Sequence, residues 1–539
     1  MLLGALGALG QPGIDLSPCY FAAEVALAYL VLGERRLGRV AIIGIFWGLG
    51  LFSVISLGTL SWGARVPVSL TLIGVALYSL PLALWASAAA RFGRVLAFAA
   101  TVAAWSLWLD FGDWLGFPLK QSAFSLVVTA PQLAGGVRLV GANVFSAILT
   151  ATALGVAQSL ASDRGRASET RAIGALPALA AGFSSVALLA LLAHVTAGPS
   201  GRALRVGVPQ IDTGSTYYSA RLLRPELVTA FDQGVARLLD ELDDVELIAM
   251  TEAFDGRFSL TLPGLRKTWE DRARARAQPL LLSSFTVEER GWKGNAVAGI
   301  DARGRITGVH RKVDLALEGE KMLAAGTDYE VFRLAPDLVV GVPICLESAL
   351  RNAPHAMTRL GANLLVVSTS DVTFGSNVTG FEHLATTQLR ALEVGRAVVW
   401  ASNGGPSGVI DRWGAFEPAA PFRERAAARM SAALESDTTF YLRYSSAVSL
   451  VAALALLGAG ALARRTAPVV VAPASLLGAS WFEARRRTSV LGLLAACGAL
   501  ALACLSPALV EASRGRVARA GAAVIETFAS PKTYVPPDA

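Results

Sequence analysis

Apolar positions follow two textures along this chain. In residues 1 to 200, and again near the C-terminus, they run almost unbroken. The runs Ala41 to Leu60, Val66 to Ala90, Val95 to Trp108, Val137 to Leu160 and Ile173 to His194 are of the order of the ~20 residues that cross a hydrocarbon layer as a helix. Two more follow at Ser446 to Leu462 and Val490 to Leu509. The shorter run Tyr20 to Gly33 reads as a span or a partial entry, and Ala467 to Ala479 as a re-entrant or interfacial piece. Met1 to Gly10 is apolar but short, and it lacks the basic start of a cleavable signal peptide.

Between these blocks the periodicity changes. Leu204 to Ile211, Glu246 to Met250, Pro279 to Phe285, Ala296 to Ile300, Leu338 to Ile344, Asn363 to Ser368 and Ala397 to Ser402 predict short, largely buried strands. Glu226 to Leu242, Leu265 to Ala277, Ala349 to Leu360 and Glu382 to Val394 carry the longer helical period. Strands alternating with helices imply a layered α/β domain. The expected organisation is a transmembrane helix bundle in 1–200, an α/β domain in 201–436, and C-terminal transmembrane helices with a tail in 437–539.

Composition strengthens the membrane reading. Of 539 residues, 53% are hydrophobic and 17% charged, and mean hydropathy is +0.50, above the range of soluble domains. Arginine placement orients the chain, because short cytoplasmic loops retain Lys and Arg. Glu34 to Arg39, Arg91 to Arg94 and Asp163 to Arg171 are basic, and they alternate with the basic-poor connections Ser61 to Val66 and Asp110 to Gly136. The middle domain is therefore expected on the extracytoplasmic face. Arg464, Arg465 and Arg485 to Arg487 place the next connection inside, and a second C-terminal helix would put the C-terminus outside. The net charge of +7 follows mostly from these arginines, so no nucleic-acid partner is expected.

Candidate chemistry begins with Cys345, in Gly341-Val-Pro-Ile-Cys-Leu-Glu-Ser348. Of four cysteines, it alone lies away from the membrane-type segments, without a disulfide partner nearby. Glu252 follows a strand-like run, and Lys312 lies beyond the Ala296 to Ile300 strand and its turn. Strand ends are where α/β folds gather functional groups. A carboxylate, an ammonium and a thiol suffice for acyl transfer: the first takes the thiol proton, the thiolate attacks, and the cation steadies the oxyanion. Taken singly, each has a plain structural explanation as an inert core thiol or a solvated strand-end charge.

In order and spacing the three resemble the Glu-Lys-Cys triad of the nitrilase (carbon-nitrogen hydrolase) superfamily, and the membrane flanks narrow the resemblance to the apolipoprotein N-acyltransferase family. Gly116-Phe-Pro118 with Pro131 to Val137, Gly319-Glu320, Gly361 to Ser368, Ser370 to Gly375, His383, Leu389 to Arg396, Ser402-Asn-Gly404 and Val409 to Gly414 stand in that family's order. The resemblance implies an αββα sandwich on a membrane bundle at the outer face of the cytoplasmic (inner) membrane. It also implies a ping-pong reaction from a phospholipid acyl donor, through a Cys345 thioester, to the α-amino group of a diacylglyceryl-cysteine lipoprotein. Glu252 would be the general base. Lys312 would stabilise the oxyanion, with the Leu346 N–H helping, and Glu320 would position Lys312 or the amine. Glu347 would support the site. Phe254 and Phe258, with Leu260 to Leu265, would form an apolar lid, and Thr373 and Phe374 would line the substrate pocket. No cofactor or metal is implied, and a monomer is expected.

This chain departs from that family at Thr251 (usually proline), Leu317 and Glu318 (a Pro-Phe pair), Leu346 (an aromatic) and Thr373 (a tryptophan). None removes a reacting atom, but all alter the pocket walls. The four histidines show no metal-ligand spacing, no Gly-x-Ser-x-Gly elbow surrounds Ser376, and His383 reads as a brace for its helix. A membrane amidase, an acyltransferase with another amine acceptor and a catalytically silent scaffold remain as alternatives. Glu24 is the main charge inside the apolar runs, which gives transport little support.

Overall fold

The structure is a computed structural model. It describes residues 1–466 apart from 33, 63, 90–91, 163–167, 212–224, 255–259, 288–292, 317–319, 321–322 and 374–376. The expected helix at Val490 to Leu509 and the stretch Ala467 to Ala479 lie outside the described residues.

Helices α1 (Leu2–Ala8), α2 (Ser17–Val31), α3 (Leu37–Ser56), α4 (Arg65–Ala89), α5 (Arg94–Trp114), α6 (Gln121–Thr129), α7 (Val137–Ser162) and α8 (Ser168–Thr196) precede the first strand, and α13 (Phe440–Thr466) follows the last. Six of the described helical segments, Leu37–Ser56, Arg65–Ala89, Arg94–Trp114, Leu133–Ala161, Ala175–Thr196 and Phe440–Ala459, are long and apolar enough to span a membrane. The chain is a multi-pass membrane protein. Gly44 and Gly48 give α3 a small-xxx-small face, and a Cβ on Gly48 would lie 1.8 Å from Ser79 Oγ of α4. With no hydrophobic drive between helices in lipid, such close backbone approach is what holds them together. On α8 the large apolar side chains Phe183, Leu188 and Leu191 remain exposed, as lipid-facing residues do.

The middle region is built on two six-stranded sheets. One has the order β12 (Ala426–Ala433), β1 (Ala203–Gln210), β2 (Leu247–Ala249), β3 (Leu280–Val287), β4 (Lys293–Ile300), β5 (Ile306–Arg311). The other has the order β11 (Phe416–Pro418), β10 (Gly408–Ile410), β9 (Val398–Ser402), β8 (Leu364–Thr369), β7 (Leu338–Gly341), β6 (Val331–Ala335). The three parallel strands of each sheet, β1 to β3 and β7 to β9, need crossovers. Helices α9 (Pro225–Asp240), α10 (Pro263–Arg276), α11 (Asn352–Arg359) and α12 (Asn377–Val394) supply them.

Alternation along the strands sorts the layers. Leu204, Val206 and Val208 of β1 meet Leu364 and Val366 of β8 between the sheets. On the outer faces, Leu282 and Ala298 pack under Leu238, Leu239 and Trp269, while Leu365 and Val367 pack under Leu384 and Ala391. The result is the expected αββα sandwich on a helical bundle.

Helix α12 has a second duty. Its Ala385, Leu389 and Leu392 lie in one apolar cluster with Phe124 and Val127 of α6 and Phe145 and Ile148 of α7, so an outer layer of the sandwich is also a wall of the bundle. A buried polar network runs alongside. Arg390 pairs with Glu393 and lies 3.6 Å from Asp113, which also pairs with Lys120. Glu393 accepts from the Ala142 N–H at 2.9 Å and contacts His355 at 3.2 Å. Asp110 accepts from Arg351 at 3.1 Å, Asn143 at 2.7 Å and Ser449 at 3.0 Å. Burial alone would raise the Glu393 carboxyl, but Arg390 and His355 outweigh it and hold it well below the usual range. Burial draws His355 down to about 4, so its neutral ring donates to Glu393 at ordinary pH. At Gly141 (φ +80) the backbone of α7 turns left-handed, and a Cβ there would lie 2.3 Å from the Tyr441 ring of α13.

Arg390→Met would leave Glu393 buried without its cation, and Asp113 with Lys120 alone. The expected cost is about 3–5 kcal/mol, read as a lower thermal unfolding midpoint in detergent. A midpoint equal to that of the unaltered protein would show that the network contributes no net stability.

Candidate active site

The ends of β2, β5 and β7 converge on one another. Glu252 lies three residues beyond the last residue of β2 and donates its N–H to the Thr369 carbonyl of β8 at 3.2 Å, while Ser368 Oγ donates to the Met250 carbonyl at 3.0 Å. The two sheets are stitched together beside this carboxylate. Lys312 comes directly off β5, a strand the sequence reading did not resolve, and donates its N–H to Asn295 of β4 at 2.8 Å. The Cys345 N–H donates to the Ser368 carbonyl at 2.9 Å.

Lys312 Nζ lies 3.2 Å from Glu252 Oε1 and 2.8 Å from Glu320 Oε1, and its side chain is 1% exposed. Asn295 Nδ2 donates to Glu252 at 2.8 Å. Burial works against the Lys312 cation, but Glu252, Cys345 and Glu320 outweigh it and hold the ammonium above its ordinary value. Burial raises the Glu252 carboxyl, Lys312 pulls it back, and Glu320 pushes it up again; the net direction is upward. The Cys345 thiol is also pushed up, by burial first and then by Glu252, with Lys312 opposing. At rest the thiol keeps its proton, and the carboxylate beside it is a better base than a solvated glutamate.

Cys345 sits in a strained elbow, φ +49 and ψ −113, ahead of the short helical turn Leu346–Ala349. The Leu346 N–H, first in that turn, has no acceptor within it. Glu347 explains how the elbow keeps its place. Its Oε1 accepts from the Val313 N–H at 2.6 Å and the Asp314 N–H at 3.3 Å, while its Oε2 accepts from the Ile344 N–H at 2.8 Å and contacts His310 Nε2 at 3.0 Å. One fully buried carboxylate thus ties the lysine segment to the cysteine segment. On the other side His383 Nε2 lies 3.0 Å from the Cys345 carbonyl and from Ser348 Oγ, and its Nδ1 is 3.3 Å from Asp371. His383 therefore braces the cysteine elbow as well as belonging to its helix.

The structure brings Glu252, Lys312, Cys345, Glu320, Leu346 and Glu347 together. Phe254 is fully buried in the core against Trp269, ring centroids 6.4 Å apart, and so does not form part of an exposed lid. Leu260 is buried and Leu262 exposed. Phe258 and Phe374 lie outside the described residues, as do Leu317 and Glu318; Thr373 closes a short 3₁₀ turn, with its side chain outside the described set. The sequence reading missed Asn295 and Asp371 as site neighbours. Asn295 carries no motif, and only the pairing of β4 with β5 brings it to Glu252.

Residues 245–436 match the carbon-nitrogen hydrolase family. The chain thus carries a nitrilase-like hydrolase or acyl-transfer domain on membrane helices. Over most of its length it is homologous to proteins named apolipoprotein N-acyltransferase. That of Gloeobacter violaceus is 29% identical, over 84% of this chain and 91% of the relative. That of Pseudomonas syringae pv. tomato is 26% identical, over 86% and 97%. Among solved structures, an amidase from Nesterenkonia sp. aligns with 46% of this chain and 95% of its own, at 18% identity and a TM-score of 0.36.

Because burial and Glu252 favour the neutral thiol, the thiolate fraction grows only above the ordinary thiol range. Alkylation of the Cys345 peptide by iodoacetamide, followed by mass spectrometry, is expected to keep rising with pH through about 9.5, roughly one pH unit above the ~8.5 pKa of a free thiol and the value at which such a thiol levels. Levelling at that value in the folded protein would show that the thiol is not held neutral.

Proposed function

We propose that this protein is a lipoprotein N-acyltransferase working by two half-reactions at Cys345. The observation that carries the reading is the buried Glu252–Lys312–Glu320 cluster beside a strained cysteine, on a domain whose α12 is packed into a membrane bundle. In the first half-reaction Cys345 attacks the ester carbonyl of a phospholipid and its proton passes to Glu252. The ester C–O bond breaks, and the lysophospholipid alcohol leaves with the proton from Glu252. In the second, the α-amino group of a diacylglyceryl-cysteine attacks the thioester, the C–S bond breaks, and the amide forms as the thiolate recovers a proton through Glu252.

Lys312 and the Leu346 N–H stabilise the oxyanion of each tetrahedral intermediate. Moving the thiol proton to Glu252 shifts one negative charge from carboxylate to sulfur and leaves the net charge around Lys312 unchanged. Lys312 therefore opposes the negative charge before and after transfer, without reorganisation. Glu320 keeps the ammonium in place, and Glu347 holds the two segments in register. The arginine pattern supports an extracytoplasmic catalytic domain of residues 201–436 on the cytoplasmic (inner) membrane, between membrane regions 1–200 and 437–539, acting as a monomer.

Purified full-length protein mixed with phospholipid vesicles should gain one acyl mass on Cys345. A diacylated lipopeptide should remove it and become N-acylated. Cys345→Ala should form no adduct, and Lys312→Met should slow its formation by about 10²-fold or more. Folded, unaltered protein that never acquires the adduct would overturn the reading; an adduct released only to water as free acid would make the protein a hydrolase, and one passed only to a different amine would make it an acyltransferase with another acceptor.

A further inference from the structure

Glu382 has no part in the steps above, and its position bears on them. It stands near the start of α12, where successive residues turn by about 100°. His383 and Thr387 face the cysteine elbow, His383 through the Cys345 carbonyl and Thr387 through a 3.0 Å hydrogen bond to Ser348. Ala385, Leu389 and Leu392 face the membrane helices. Glu382 shares its side of the helix with Leu389, two turns on, and so stands on the edge between elbow and bundle. The same helix packs on the turn Leu57–Trp62 at the end of α3.

Among the described residues Glu382 Oε1 is buried and meets no hydrogen-bond donor. A carboxyl oxygen removed from water without a donor is destabilising, and other buried glutamates here escape that cost. Glu347 has backbone donors, Glu393 has Arg390, Glu435 has Arg412 and Glu24 has Thr150. An acid left unsatisfied on the membrane side of the nucleophile is placed to meet a donor that arrives with a substrate.

We propose that Glu382 receives the acceptor's amine, holding the α-amino group of the incoming N-terminus against the Cys345 thioester and sharing one proton with it. This rests on the acyl-transfer reading above and assigns the residue that separates its second half-reaction from its first. The phospholipid brings an ester that needs no such partner, whereas the amine is useless as a nucleophile while it carries its third proton. Burial pushes the Glu382 carboxyl up to about 8, into the range of an α-amino group at about 7.7–8.0, so the carboxylate can take the amine's third proton and leave it nucleophilic. The amine nitrogen then forms the bond to the acyl carbon, the C–S bond breaks, and its next proton passes by way of Glu252 to sulfur. Glu382 returns its own proton to solvent.

The test separates the half-reactions in full-length protein in phospholipid vesicles. Glu382→Gln is expected to form the Cys345 adduct, which also shows that the variant is folded, and then to pass it to a diacylated lipopeptide at least tenfold more slowly, with a raised KM for the peptide. Hydroxylamine, a small nucleophile that is neutral at pH 7, should discharge the variant's adduct as fast as the unaltered protein's. Glu382→Asp should recover part of the transfer to peptide. Lipopeptide transfer at the unaltered rate, or an equal slowing with peptide and hydroxylamine, would overturn the role of Glu382 while leaving the acyltransferase reading intact. Absence of the adduct in unaltered protein would overturn both.

Discussion

The buried ionic contact between Arg390, Glu393 and Asp113 is the constraint on which the rest of this molecule depends. A domain made of two sheets and their covering helices is complete by itself, and a membrane bundle buries its own polar groups. Joining them requires a surface that is apolar enough to pack and polar enough to be directional. Leu389 and Leu392 of α12 supply the packing against α6 and α7, and Arg390 and Glu393, on the same helix, supply the direction. Removed from water, these charges are stable only with their partners in place, so the sandwich has one well-defined seat on the bundle. Apolar packing alone would allow it to slide.

That seat fixes the height of the chemistry. His383 and Thr387 of α12 contact the Cys345 elbow through its carbonyl and Ser348, so the helix that docks on the bundle also braces the nucleophile. The elbow's opposite side is closed by Glu347, whose four contacts fasten the lysine segment to the cysteine segment. The strained φ of Cys345 is tolerated because both sides are held.

Much of this was legible in the sequence because the signals were local. Continuous apolar runs marked the spans, and short, largely buried runs marked the parallel strands β1 to β3 and β7 to β9, whose ends carry Glu252 and Cys345. The antiparallel strands β5, β6, β10, β11 and β12 were not seen. They are short or only partly buried, and β12, Ala426–Ala433, is rich in alanine. Their order is set by pairing with neighbours and not by any pattern of their own. Lys312 was therefore found by its neighbours in the chain, while its strand β5 was missed. Phe254 shows the opposite error. An aromatic near a catalytic carboxylate looks like a pocket wall in sequence, but the bend at Ala253, φ +48, is followed by a Phe254 side chain packed against Trp269.

The polar residues of the seam were the least legible part, for a physical reason. Asp110, Asp113 and Lys120 flank an apolar run, where sequence rules expect solvated ends, yet Lys120 is fully buried and Asp113 and Asp110 nearly so. Apart from the local Lys120–Asp113 pair, the charged partners of Asp110 and Asp113 lie more than 200 residues away on Arg351 and Arg390, and nothing local in either segment announces the other. The same arrangement explains why Glu382 stands out. On a helix where the Arg390 and Glu393 charges are matched across the docking face, a buried carboxyl oxygen without a donor is a mismatch, and a transient partner bringing an amine removes it.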